Sequence, residues 1–406
     1  MAEPTNTPLP TAPPTPRAGS PAPPLPTSLA SSPTTTRSPA WPHPHAQTHS
    51  RAGSLTVPIN AYGPKQVVLH LGDLIKHAPE LFAEFSVLFD VVCPTAEERC
   101  RPAFINALRD KKWGDIAAVF RPSLSSGLEM GEWNDEIISL LPNSVRAFVS
   151  AGVDCRAVDV NLLTERGIVF CNSEAASAEA VADFAVTLIL TTFRPLAHHP
   201  LSAQAQTPGS KSGPRSHNPR GHVLGIVGFD HVGQQIAHKC HAAFGMDIIY
   251  YDVKRRSASI EVGSRARFCP TLELLIQGSD CVVLCPISSQ GQKPLIHAQN
   301  INEFRPGARL VNVGGSQQVD ESVLADALEQ DALRFVALDV HGEEPENHET
   351  LLKFLGTKAL LTYEDAADTI ETCAGTEELC MRNVIAILSG REPTSAVNLP
   401  HAKHGG

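Results

Sequence analysis

From Asp115 onward the chain alternates short apolar runs with stretches whose apolar positions recur every three to four residues. DIAAVF, RAFVSAG and IVFCN, then VLGIVG, DIIYYD, CVVLC, ARLVNV and FVALDV, read as strands. The later runs are rich in Val and Ile at odd and even positions alike, the pattern of parallel strands covered on both faces. VGQQIAHKCHAAF, TLELLIQG and DESVLADALEQ lie between them with helical periodicity. This βαβαβ rhythm predicts an α/β fold with doubly wound parallel sheets. The most apolar helix-like run, Ala180–Phe193, contains Asp183, and no stretch of about 18 apolar residues occurs, so no membrane span is expected.

Composition changes the picture at the amino terminus. Residues 1–50 hold 14 of the 33 prolines, interleaved with Ser, Thr and Ala, and residues 1–57 are expected to be a disordered tail. A second polar stretch, His198–Gly221, separates a helix-like run from a strand-like one and marks an interdomain crossing. The balance of 33 Lys+Arg against 43 Asp+Glu argues against a nucleic-acid partner. Ten cysteines form no C-x-x-C pair and read as reduced core thiols of a cytoplasmic protein. No metal site is expected, and His238 and His241 read as solvated positions on an outer helix face.

Nucleotide chemistry belongs at the first strand-to-helix turn, where helix N–H groups and the dipole favour phosphate. That turn is Gly228-Phe229-Asp230-His231-Val232-Gly233, a G-x-G-x-x-G with Asp230 in place of its middle glycine. Gly228 permits the tight turn and Gly233 the close helix packing. Asp252, at the end of the next strand, is placed to accept ribose hydroxyls, which favours NAD. Lys254, Arg255 and Arg256 are compatible with NADP. Asp230 would face two phosphates; at 4 Å and an effective dielectric of about 20, one such repulsion is about 4 kcal/mol. Unrelieved, that weakens binding roughly a thousandfold. Read locally, Asp230 is a helix N-cap, and dinucleotide affinity should be weak.

SAGVD (Ser150–Asp154), TERGIVFCNS, SAEAVADFAVTLIL, NPRGHVLGIVGFDHVG, FGMDIIYYD, RPGARLVNV, VDESVLADALEQ and VALDVHGEEP occur in this order. With them the chain resembles the D-isomer-specific 2-hydroxyacid dehydrogenases, including glyoxylate and hydroxypyruvate reductases. The resemblance implies two doubly wound parallel-sheet domains, with an NAD-binding Rossmann domain inserted in a substrate domain. The boundaries it suggests are a substrate domain of residues 58–195 plus 363–400, a crossing loop at 196–221 and an NAD(P)-binding domain at 222–362. It also implies a small-molecule substrate and a homodimer, and it assigns Val313 and Asp339 to the cofactor and Ala151 and Gly152 to the substrate.

The same resemblance exposes two losses. In the family an arginine clamps the substrate carboxylate, a histidine transfers the proton and a glutamate tunes the histidine. Here Gly315 stands at the arginine position and Glu364 at the histidine position, while the glutamate is kept as Glu344. A buried substrate carboxylate without its arginine costs several kcal/mol, so a standard 2-oxo acid bound in the family geometry is not expected. Glu364 beside Glu344 suggests a carboxyl pair sharing one proton, which is a route to changed chemistry. Two functions follow from these residues. One is an NAD(P)-dependent oxidoreductase for a CH–OH or carbonyl substrate, in specialised metabolism. The other is a catalytically inactive scaffold for binding or assembly.

Overall fold

The computed structural model describes residues 64–123, 126–152, 157–194, 196, 216–286, 294–339 and 350–398. The expected tail, most of the crossing loop, and Glu344 lie outside the described residues.

The first sheet is built from β1 (Gln66–His70), β2 (Phe89–Val92), β3 (Ile116–Arg121), β4 (Ala147–Ser150) and β5 (Val169–Cys171). Its order is β2-β1-β3-β4-β5, and its strand pairings are parallel. Around it lie α1 (Pro79–Leu88), α2 (Ala96–Arg99), α3 (Arg101–Arg109), α4 (Asp135–Ile138) and α5 (Val160–Glu165). Phe104, Trp113, Trp133, Phe148 and Phe170 fill one face. Thr95 and Glu98 close a reciprocal capping box at the start of α2, and Asp159 caps α5 through the Leu162 N–H.

The chain then enters α6 (Glu174–Phe193). By length and composition this helix could cross a membrane. Its apolar side chains, however, are core: Leu188, Ile189 and Phe193 are buried with residues of the second sheet. Burying each such side chain contributes about 1.5–3 kcal/mol, so Asp183 leaves the helix intact and only marks its outer face.

The second sheet comprises β6 (Val223–Val227), β7 (Asp247–Tyr251), β8 (Ala266–Phe268), β9 (Cys281–Leu284), β10 (Ala308–Asn312), β11 (Leu333–Leu338) and β12 (Ala359–Leu361). They lie parallel in the order β12-β11-β10-β9-β6-β7-β8, so the winding reverses between β6 and β9. The connections are α7 (His231–Phe244), α8 (Ala258–Ser264), α9 (Leu272–Gly278) and α10 (Ser322–Glu329). α6 and α7 cover one face, and α9 and α10 the other. Strands buried on both sides explain why Val and Ile fill consecutive positions. Finally α11 (Ile370–Leu388), capped by Thr369 on the Thr372 N–H, packs on β3, β4 and α6.

The described cysteines are free, and Cys171, Cys240, Cys281, Cys285 and Cys380 are buried. Cys93 and Cys100 are exposed, which corrects the reading of all of them as core thiols. His238 is exposed, but His241 is half-buried with Nδ1 3.0 Å from the Met246 carbonyl oxygen, so it secures the end of α7 rather than facing solvent.

Candidate functional site

In open α/β sheets the strand carboxyl ends at the reversal of winding form the ligand crevice. Here β6 ends at Val227, and the Gly228–Gly233 turn leads into α7. Gly228 has φ +88°, a conformation that disfavours a side chain. A Cβ on Gly233 would collide with the Gly228 carbonyl oxygen, so the helix reaches this close only with glycine there. Phe229 is buried and stacked on Tyr250, with ring centroids 4.0 Å apart, and Val232 is buried, so both hold the turn from beneath. His231 and Asp230 are on the exposed side.

Asp230 does not cap α7, contrary to the reading from the turn alone. Its backbone sits at the N-cap position, but its carboxylate makes no hydrogen bond to the helix. Arg256 takes it instead, with Nη2 2.8 Å from Asp230 and 2.8 Å from Asp252. A cation bridging two carboxylates outcompetes a neutral backbone donor. Against its own burial, Asp252 and Asp230 raise the pKa of Arg256. Asp252 Oδ2 also accepts the Phe229 N–H at 2.8 Å, which ties the β7 end to the turn. The bridge offsets the charge that Asp230 brings to a phosphate, and the first N–H groups of α7 remain uncapped. These residues fit a dinucleotide.

Glu174, the first residue of α6, faces the same turn from the other side of the cleft. Its carboxyl pKa is raised, first by burial and next by Asp230, while His231 and Arg256 act in the opposite direction. Just before it, Ser173 Oγ accepts the Gly152 N–H at 2.9 Å and the Ser173 N–H donates to the Gly152 carbonyl. Ala151 is buried and Gly152 half-buried, so the loop after β4 is latched to the start of α6. The two sheets thus bring their carboxyl ends toward one cleft.

The third edge of the cleft follows β10 and β11. Val313 is buried, and its N–H donates to the Leu284 carbonyl. At Gly314 a Cβ would collide with the Cys285 carbonyl, a steric requirement that sequence reasoning missed because it looked only at the neighbouring Gly315. A Cβ on Gly315 meets nothing within 4 Å. At this position, where the resemblance implies an arginine, the space is open. Cys285 is buried and its thiol pKa is pushed up by burial, so it is no nucleophile.

Asp339 is 1% exposed and saturated. It accepts from Thr362 Oγ1 at 2.7 Å, the Asp365 N–H at 3.0 Å and the Ala366 N–H at 3.1 Å. Its own carbonyl accepts the Glu364 N–H at 2.7 Å. Asp339 therefore builds the turn that carries Glu364, a role the spacing of the sequence did not disclose. Glu364 itself has φ +54°, unusual for a non-glycine residue, and its side chain is exposed. Glu344, the other half of the expected pair, is outside the described residues, as is His341. Among the described residues no group of three or more His, Cys, Asp or Glu could hold a metal ion.

Comparison with known proteins places these observations. Residues 186–361 match the family described as "D-isomer specific 2-hydroxyacid dehydrogenase, NAD binding domain". The chain is 32% identical over 272 residues to a glyoxylate reductase of Thermococcus kodakarensis, spanning 65% of this chain and 80% of that protein. It is 27% identical over 284 residues to 4-methyl-2-oxopentanoate reductase A of Aspergillus oryzae, spanning 70% and 84%. The apo crystal structure of D-mandelate dehydrogenase from Rhodotorula graminis superposes with a TM-score of 0.77 at 32% identity, covering 82% of this chain and 98% of that one. With its two parallel sheets, its nucleotide turn and these relatives, the chain belongs to the D-isomer-specific 2-hydroxyacid dehydrogenase family.

Proposed function

We propose that the protein is an NAD(P)-dependent oxidoreductase that interconverts a carbonyl and a CH–OH group on a small substrate. The observation that supports this most is the nucleotide turn: Gly233 in contact with Gly228, the N–H groups of α7 uncapped, and the charge of Asp230 offset by Arg256. When bound, the cofactor supplies or accepts hydride at the nicotinamide. Gly228, Phe229, Asp230, His231, Val232, Gly233 and Asp252 hold its adenosine and phosphate end, and Val313 lines the nicotinamide end; Asp339, assigned to the cofactor by the resemblance, is buried and engaged by Thr362, Asp365 and Ala366, so it shapes that end from beneath. Ala151 and Gly152 offer backbone to the substrate. In this reading the substrate domain is residues 58–195 plus 363–400 around a cofactor domain at 222–362, and the protein is a cytoplasmic homodimer.

The chain's own proton chemistry falls to Glu364, with Glu344 as its partner. Reduction of a carbonyl requires a proton on the new alkoxide oxygen as hydride reaches carbon. The relatives named above act on glyoxylate, 4-methyl-2-oxopentanoate or mandelate, which supports a hydroxy-acid-like substrate. The open position at Gly315 argues that any acid group is held differently from the family geometry.

The test is calorimetric titration with NADH and NADPH, followed by turnover across a library of aldehydes, ketones and oxo acids. Saturable binding of one reduced cofactor and turnover of at least one carbonyl are expected. Binding of neither cofactor at millimolar concentration would discard the reading in favour of a scaffold.

A further inference from the structure

The amino ends of the second sheet's strands, opposite the cleft, carry a group of cations that the nucleotide turn does not use. α6 runs from Glu174 at the cleft to Phe193, so at 1.5 Å per residue its far end lies about 30 Å away. There Arg309, the second residue of β10, is 3% exposed. Its Nε donates to the Thr192 carbonyl at 3.2 Å, and its guanidinium lies over the Phe193 ring, 4.0 Å from the centroid. His222, just before β6, makes an edge-to-face contact with the same ring at 5.1 Å, and His217 makes one with His222 at 6.1 Å. The His217 N–H donates to the Phe193 carbonyl at 3.0 Å, which ties this stretch to the end of α6.

The charges of this group do not cancel. The carbonyl end of α6 uses only Nε of Arg309, and among the described residues Nη1 and Nη2 have no acceptor. Neither belongs to the enclosed unpartnered atoms, so both reach the surface. Arg334, the second residue of β11, and Arg194, which donates to Asn218 Oδ1 at 3.3 Å, bring two more cations. Asp280 acts on Arg309 but is committed, with Oδ1 3.0 Å from Arg305 Nη1 and Oδ2 accepting the Val223 N–H at 2.7 Å. Asp331, beside Arg334, is paired with Lys358 at 2.7 Å. Asp247 opens β7, on the far side of β6 from β10, and is exposed. Burial, and after it Arg334, Arg309 and His222, hold the His217 imidazole below its usual range. Burial lowers the Arg309 pKa as well; Cys281 and Asp280 oppose this and Arg334 adds to it. His222 Nδ1 is buried with no hydrogen-bond partner among the described residues, so the cluster is not satisfied from within.

We propose that Arg309, with the His217 and His222 imidazoles around Phe193, binds a free tetrahedral dianion of the phosphate or sulfate kind. The site is separate from the nucleotide turn and from the substrate cleft, and it stands whether or not the protein is an oxidoreductase. A dianion meets the two Nη groups that α6 leaves over, and its charge favours the protonated form of the neighbouring imidazoles. Binding is therefore strongest when the imidazoles are charged and weakens as pH rises through their titration.

Sulfate is the probe, because its charge stays constant across the pH range in which histidine titrates. It is titrated into the full-length protein at constant ionic strength, with chloride as the control anion, while the histidine Cε1–H resonances are followed by NMR. His217→Gln and His222→Gln identify the two signals of this cluster. Saturable shifts of both signals are expected, together with a rise in the pKa of each imidazole. In Arg309→Met the binding should weaken about tenfold or more, and in Arg309→Lys, which keeps the charge but loses the fork, by less. Thermal unfolding shows whether each variant is folded; if Arg309→Met is not, Arg309→Lys and the imidazole titrations of the unmodified protein decide. The absence of a saturable shift above the chloride control, or an unchanged affinity in the folded Arg309 variants, overturns the proposal and leaves Arg309 as no more than the cation on the carbonyl end of α6. His231, on the exposed side of the nucleotide turn, is the built-in control. A shift confined to its signal places the sulfate at that turn and overturns the proposal too.

Discussion

The nucleotide turn and the corner that holds Gly315 and Glu364 have diverged to very different degrees. At the turn, residues that fix the backbone are in place: Gly228 at positive φ, Gly233 against the carbonyl of Gly228, and Asp252 on the Phe229 N–H. In the corner, residues that fix the backbone are also in place, namely Gly314 against Cys285 and Asp339 under the 362–366 turn. In the corner, the two changed positions lie outside that framework. Gly315 faces open space and Glu364 is exposed, so neither change disturbs packing. Steric and hydrogen-bonding demands hold a scaffold residue; a side chain that serves only a substrate is free to change with the substrate.

The largest effects should come from the framework. In Gly233→Ala the new methyl meets a backbone oxygen that cannot rotate away, so α7 must shift from β6. A loss of about 3 kcal/mol or more in denaturant unfolding is expected, with loss of dinucleotide binding. Stability unchanged within experimental error would mean the turn is far looser than this geometry. Asp339→Asn comes next. It places an amide where three donors converge, leaving at least one buried N–H without an acceptor, at a cost of about 1–3 kcal/mol. Amide exchange should quicken at Asp365 and Ala366, and a variant with native exchange there would refute the anchoring role.

Charge at the turn gives the intermediate effects. With Asp230 unpaired, the repulsion between carboxylate and phosphate would be large; with Arg256 bridging it to Asp252, most of that is offset. Asp230→Gly should therefore tighten NAD(P)H binding by about tenfold or less, rather than a thousandfold. Arg256→Met leaves both carboxylates uncompensated and should weaken binding more strongly than Asp230→Gly strengthens it. Calorimetry on the pair and the double variant checks the coupling, and strict additivity would rule out the bridge. Glu174 adds a pH dependence. Its raised pKa means that it loses its negative charge sooner than an ordinary carboxylate as pH falls. Cofactor affinity should rise as pH drops through that pKa, and Glu174→Gln should flatten that part of the profile. The same sign applies to stability: the charged form disfavours the fold above the raised pKa, and protonation relieves it below.

How far this was legible from the chain depended on the kind of signal. β6, β9 and β10 are buried on both faces, and their Val- and Ile-rich runs declare them. β8 and β12 have three residues each, too short to show any period, and β2 is four residues long and only partly buried at the edge of its sheet. The spacing of Gly228 and Gly233 shows where a phosphate turn lies, because the steric demand is local. The Asp230 side chain could not be placed from its neighbours alone. Its partner is Arg256, twenty-six residues on, brought near by the pairing of β6 with β7.

The smallest expected effect concerns Glu364→His, which restores the family's residue at one of the two altered positions. The exposed turn should accept the imidazole with no strain beyond that already present at φ +54°, since Asp339 holds the backbone and not the side chain. Stability should change by no more than about 0.5 kcal/mol. Imidazole titrates near neutrality, so proton delivery would become easier than from an exposed carboxyl. Yet glyoxylate and hydroxypyruvate need their carboxylate clamped as well as their oxygen protonated, and Gly315 still offers nothing there. Turnover of these two acids by Glu364→His should therefore stay at the level of the unmodified protein. A large gain from this one substitution would show that the carboxylate is already held by another group. No gain even in combination with Gly315→Arg would mean that the corner has departed from the family geometry in its backbone as well as in its side chains.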